Sequence, residues 1–131
     1  GHLVLATLHA NNAAETLDRI VNMFPLDQHR QLTLDLSQYL RAVLAQRLVV
    51  NRDGKRVAAV EVLLNTPHMS GLIKSGDVSG IKEAIVRSSE NGIQSFDVAL
   101  HRLYRDGRIE LEVALNNADS RSNLEAKINF G

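Results

Sequence analysis

"LVVNRDGKRVAAVEVLL", residues 48–64, decides how this chain folds. Two valine-rich runs flank Asp53-Gly54, a dipeptide that accepts the backbone conformation of a tight reversal, so the stretch reads as an antiparallel hairpin at about 47–63. On its N-terminal side, from Leu26 to about Ala45, apolar residues recur at helical spacing through Leu36, Leu40, Val43 and Leu44, with Asp27 placed to cap. Further upstream, Ala14, Leu17, Val21 and Phe24 mark another helix, stopped by Pro25 and preceded by Asn11 and Asn12, both good capping types. Residues 3–8, LVLATL, are almost continuously apolar. That is the pattern of a strand covered on both faces, as in a parallel sheet.

On the C-terminal side of the hairpin, from Asn65-Thr66-Pro67 onward, the texture is helical. Val78, Ile81 and Ile85 belong to one segment, Phe96, Ala99, Leu100 and Leu103 to the next, and Leu111, Ala114 and Leu115 to a third, with Gly92 and Gly107 where helices stop. No internal repeat or low-complexity stretch interrupts this order. The expected organisation is a mixed α/β part over residues 1–65 and a small all-α part over 66–131.

Composition narrows the function. The 131 residues include 15 basic and 15 acidic side chains, a formal net charge of zero, and no block of five like charges. Neither nucleic acid nor an anionic membrane is favoured as a partner on electrostatic grounds. There is no cysteine, so disulfides and thiolate metal sites are excluded. No apolar run nears the ~18 residues of a membrane span, and no signal segment is visible, so direct membrane insertion is not expected and a cytoplasmic location is.

Ligands of open α/β sheets bind beyond the carboxyl ends of strands, which here points to His9, Asn11 and Asn12. An imidazole or amide there can hydrogen-bond a phosphate oxygen or a water; equally, His9 can close the turn while the two asparagines satisfy helix amides. His2 and His9, seven positions apart, face opposite sides of a regular strand and do not chelate one metal. His29, His68 and His101 lack partners at metal-ligand spacing and read as surface or packing residues. Gly54-Lys55 has no glycine five places earlier and no following Ser or Thr, so it is not a phosphate-binding loop. Glu110 and Glu112 read as a solvated helix face, and Ser88, Ser89 and Ser95 lack a nucleophile elbow. The residues by themselves define no catalytic set.

"GHLVLATLHANNAAETLDRIVNMFP" at 1–25 resembles the histidine box and following helix of the type IV pilus retraction ATPases, the PilT/PilU family of the secretion-ATPase superfamily. The resemblance continues through "LRAVLAQRLV", "DGKRVAAVEVLLNTP" and "GIQSFDVALHRLYRDGRIELEVALNNADS", and the tail favours the PilU side. "HMSGLIKS" at 68–75 departs from the AIRNLIRE pattern of PilT proper, although Leu72, Ile73 and Lys74 agree with it.

That resemblance implies an α/β fold: the C-terminal portion of a RecA-like P-loop ATPase core, with the parallel strand at 3–8, helices and the hairpin, followed by the helical subdomain. The parent it implies is a homo-hexameric motor that binds ATP and Mg2+ and hydrolyses ATP to retract pili at the cytoplasmic face of the inner membrane. Its partners are a platform protein of that membrane and a second retraction ATPase. His2 and His9 match the two histidine-box positions, His9 where a γ-phosphate sensor stands. Arg19 matches a helix arginine with a coupling or subunit-interface role; its alternative is an exposed cation paired with Glu15 at i, i+4. The P-loop, acidic box and Walker B segment of the family have no counterpart in these residues, so the chain alone is expected to bind no ATP or Mg2+ and to be inactive. Two other readings are a type II secretion or pilus-assembly ATPase, which typically carries a tetracysteine insertion, and a non-enzymatic helical interaction module.

Overall fold

The computed structural model describes residues 1–88 and 90–131; Ser89, named above, lies outside the described residues. The elements run in the order α1 (Ala13–Asn22), a 3-10 turn (Leu26–Gln28), α2 (His29–Tyr39), β1 (Ala42–Val50), β2 (Arg56–Leu64), α3 (Pro67–Ser75), α4 (Val78–Arg87), α5 (Phe96–Arg105), α6 (Leu111–Asn117) and α7 (Arg121–Phe130). The fold is α/β, with one antiparallel pair of strands among the described residues.

The hairpin is the centre of the molecule. β1 and β2 pair from Ala42 opposite Leu64 to Val50 opposite Arg56, longer than the reversal alone indicates. The turn closes where expected, because Gly54 adopts φ 75° and Asn51 braces the loop, its side-chain oxygen accepting from the Asp53 and Lys55 amides at 3.0 and 2.8 Å. Side chains alternate across the ribbon. Val43, Ala45, Val49, Ala59, Glu61 and Leu63 are buried on one face, whereas Leu44 and Leu48 on the other are 69% and 56% exposed.

The inward face serves two apolar clusters. Ala45, Val49 and Ala59 pack with Phe96, Leu100, Leu103, Ile109, Leu115 and Leu124 of the later helical region. Val43 and Leu63 pack with Ala13, Ala14 and Leu17 of α1, Met69 and Ile73 of α3, and Ile81 and Ile85 of α4. α5 is brought to β2 by a single bridge, in which Val62 and Gln94 exchange backbone hydrogen bonds at 2.9 and 3.1 Å. Ser95 then caps α5 by accepting from the Val98 amide. α3 ends on Gly76 in the left-handed region at φ 68°, a conformation that glycine adopts without a Cβ penalty.

Two expectations are corrected. The strand at 3–8 does not form: residues 1–10 carry no regular structure, and Leu3, Val4 and Leu5 are 82%, 77% and 90% exposed. An extended run becomes a strand only by pairing its amides and carbonyls, and the sheet described here contains β1 and β2 alone. The second helix, expected to reach about Ala45, ends at Tyr39, and Val43 and Leu44 lie in β1 instead. At that point the chain switches from helical to strand periodicity: Val43, Ala45 and Val49 turn inward at every second residue or a multiple of it, and each finds a ladder partner in β2. The helix end is tied down by Asn65, whose Nδ2 donates to the Ser37 and Leu40 carbonyls at 2.9 Å each. Asp27 lies in the 3-10 turn and does not cap α2, whose N-cap position is Gln28.

The two faces of the hairpin predict opposite mutational outcomes. Leu63→Ala, at a position with no solvent exposure, is expected to lower unfolding free energy by about 2–5 kcal/mol, and Leu44→Ala by no more than about 0.5 kcal/mol. Urea denaturation of both variants checks this, and equal losses would contradict the assignment of the inward face.

Candidate functional site

The candidate residues gather at the entry to α1. Asn12 is the N-cap, with extended backbone and a side-chain oxygen that accepts from the Glu15 amide at 2.8 Å. Glu15 reaches back to accept from the Asn11 amide at 3.1 Å, so cap and carboxylate satisfy amides reciprocally. The same carboxylate accepts from Arg19 Nε at 2.7 Å and pairs with its Nη2 at 2.6 Å. The guanidinium first, then the Asn11 amide, holds the Glu15 carboxyl below its ordinary range. The structure thus joins Asn11, Asn12 and Arg19 through Glu15. Arg19 takes the i, i+4 partner that sequence spacing offers, and half of its side chain remains exposed.

His2 and His9 stand on the segment before the cap and are exposed. With residues 1–10 outside any strand, their placement on opposite sides of a sheet has no counterpart here. The other histidines are dispersed. His29 bonds the Phe24 carbonyl through Nε2 at 2.8 Å, and His68 is exposed on α3. His101 is pushed below its ordinary pKa by partial burial and then by the charges of Lys127 and Arg105. Among the described residues no three His, Cys, Asp or Glu side chains form a group that could hold a metal ion.

A buried carboxylate that the pattern-based reading passed over lies directly behind this turn. Glu61, only 5% exposed, accepts from the Ala13 amide in the first turn of α1 at 2.9 Å. Arg47 occupies the same inward face, its guanidinium 3.9 Å from the centre of the Phe96 ring. It donates to the Asn117 carbonyl at 2.9 Å and pairs with Asp119 at 2.7 Å. Desolvation raises the Glu61 pKa; the Ala13 amide, Arg47 and the Phe96 amide oppose this, while Asp119 adds to it. Glu61 is in phase with Ala59 and Leu63, where an apolar residue belongs, a signal that can be read once the buried face of β2 is known.

These residues do not by themselves enclose a nucleoside triphosphate. The one Gly-Lys pair, Gly54-Lys55, sits in the hairpin turn, where the Lys55 amide is taken by the Asn51 side chain. A triphosphate cradle needs such a lysine at a helix entry with free amides around it. A surface cleft between α3 and α4, lined by His68, Asp77, Glu83 and Arg87 among others, includes none of the candidate residues.

Comparison with known proteins places this geometry. Residues 1–65 match the family described as Type II/IV secretion system protein. The whole chain is 52% identical to the type IV pilus ATPase PilU of Pseudomonas aeruginosa, covering 35% of that protein. The chain belongs to the PilT/PilU family of secretion ATPases. The pilus retraction ATPase PilT of the same organism is 37% identical over 95% of the chain, which covers 36% of that PilT. A crystal structure of the pilus retraction motor PilT with bound ADP superposes with a TM-score of 0.81 at 34% identity, over 95% of this chain and 35% of that one. The chain therefore spans about a third of the length of the curated PilT/PilU relatives it matches.

Within this PilT/PilU chain the buried carboxylate makes stability depend on pH. Its pKa is raised above the ordinary 4.5, so the folded chain holds that proton more tightly than the unfolded one. The corresponding stability is complete below pH 4.5 and is lost as pH rises through the raised folded value. Glu61→Gln cannot ionise and is expected to escape that loss. Urea midpoints of the two proteins should separate between about pH 4 and about pH 8 in favour of the variant, and parallel midpoints would contradict the raised pKa.

Proposed function

We propose that this chain is the C-terminal segment of a hexameric motor ATPase that hydrolyses ATP to power type IV pilus retraction and twitching motility. The observation that carries the reading is 52% identity to PilU across the entire chain, against 37% to PilT of the same organism. In that reading the parent acts at the cytoplasmic face of the inner membrane, on a platform protein, alongside a second retraction ATPase. Among the described residues no helix is long and apolar enough to cross a membrane. Residues 1–65 then form the second part of a RecA-like core, and 66–131 its helical subdomain.

His9 is the γ-phosphate sensor of that motor and His2 its histidine-box companion. Asn11 and Asn12 shape the turn that carries the sensor, and Arg19 contributes to coupling or to a subunit interface. An exposed imidazole next to a rigid helix cap suits a sensor, since the cap fixes the turn while the ring stays free to meet a phosphate supplied from outside the segment. The exposed apolar run at 3–8 supports the reading too, because strand material without a partner among the described residues fits a sheet completed by the rest of the parent. ATP and Mg2+ belong to the parent, where a phosphate-binding lysine and acidic metal ligands supply the positioning that phosphoryl transfer requires. The absence of cysteine speaks against the assembly and type II secretion branch with its tetracysteine insertion.

Titration calorimetry of this chain with Mg-ATP is expected to show no binding tighter than about millimolar, whereas the full-length parent binds and hydrolyses ATP. His9→Ala in the parent should lower ATPase kcat by about a hundredfold, the scale of losing one positioned polar group. Micromolar ATP binding by this chain, or a parent without ATPase activity, would overturn the proposal.

A further inference from the structure

The strongest unabsorbed feature is the ionisable seam on the inward face of the hairpin. Glu61 lies between Ala59, which packs into the cluster around Phe96, and Leu63, which packs into the cluster around α1, α3 and α4. An apolar side chain here would fuse the two clusters. Burying a carboxylate instead costs desolvation that its partners do not fully offset, as the direction of its pKa shift shows. Stability alone therefore does not account for Glu61.

Its contacts point to another role. The cap formed by Asn12 and Glu15 ties the start of α1 only to itself. Glu61 ties it to the sheet, across 48 positions of sequence, through the first amide of α1 at 2.9 Å. Its neighbours in β2 reach the entry to α5, Val62 through its backbone pair with Gln94 and Val60 by accepting from Gln94 Nε2 at 2.7 Å, and Arg47 runs from the Phe96 ring to Asn117 and Asp119 at the junction of α6 and α7. Asp97 of α5 closes the far side by accepting from the Asp119 and Ser120 amides at 2.7 and 3.0 Å.

We propose that Glu61 is a positioning residue that holds the His9-bearing turn in fixed register with the hairpin, by accepting from the first amide of α1 next to the Val62–Gln94 pair that brings up α5. The turn before α1 then moves with the sheet. Its consequence for turnover rests on the motor reading above; its structural part does not.

The charged groups facing Glu61 are Arg47 from β1 and Asp119 from the α6–α7 junction, with the Ala13 and Phe96 amides from α1 and α5. The first test is a pH titration of the 131-residue chain followed by amide and imidazole NMR. The Ala13 amide should shift with a midpoint above 4.5, accompanied by residues 9–12. Asp119→Asn should keep the transition and Glu61→Gln should abolish it. An Ala13 amide that does not follow the transition, or residues 9–12 unmoved, would overturn the proposal without requiring any variant to fold. The second test uses the full-length parent. Glu61→Ala should lower ATPase kcat by about tenfold or more with KM for ATP within about threefold, and Glu61→Gln, which retains one acceptor, should recover most of it. Unchanged kcat in Glu61→Ala would overturn the functional part. A wild-type parent lacking ATPase activity would defeat the motor reading instead, leaving the titration result to decide the structural claim.

Discussion

A carboxylate buried behind the entry to α1 is the constraint on which the arrangement of this molecule rests. The hairpin has one inward face, yet it serves two apolar clusters that share no buried residue. Van der Waals packing can hold each cluster together but cannot fix the register between them. Directional hydrogen bonds can: Glu61 accepts from the first amide of α1, and Val62 beside it exchanges backbone bonds with Gln94 at the entry to α5. The Arg47 guanidinium lies over the Phe96 ring, and its donors are used on Asn117 and Asp119. Apolar burial supplies the cohesion and the polar seam supplies the geometry.

This arrangement gives the entry to α1 an unusual combination of rigidity and exposure. Asn12, Glu15 and Arg19 brace the first turn of the helix from outside, and Glu61 braces it from within. The segment immediately before it, with His9, lies at the surface. That combination suits the sensor role proposed for His9, a ring working from a fixed base toward a ligand supplied from outside the segment.

Much of this was legible in the sequence, for reasons that differ element by element. Asp53-Gly54 located the reversal because turn chemistry is local, and the apolar stripes of Ile81 and Ile85 or Leu100 and Leu103 located helices because helical hydrogen bonds are local too. Strands are not local. Residues 3–8 have the right composition but no ladder partner among the described residues, while Val43 and Leu44, which also fit a helical spacing, are claimed by β1 because β2 is there to pair with them. At the candidate site, Asn12 as cap and Arg19 with Glu15 could be read from spacing alone. Glu61 and Arg47 were missed: the first looked like one charge among many, and its position in phase with Ala59 and Leu63 gains meaning only once the buried face of β2 is known. The contact of Glu61 with an amide 48 positions away is tertiary information that no local pattern carries.

The central claim is that the imidazole before α1 belongs to a nucleotide site whose other walls lie elsewhere in the parent protein. The most direct measurement is a structure of that full-length protein with a non-hydrolysable ATP analogue and Mg2+ bound. The account predicts the His9 ring within about 3 Å of a γ-phosphate oxygen, or of one water bound to it, with Asn12 still capping α1. A His9 ring packed against hydrocarbon and remote from the nucleotide would contradict it.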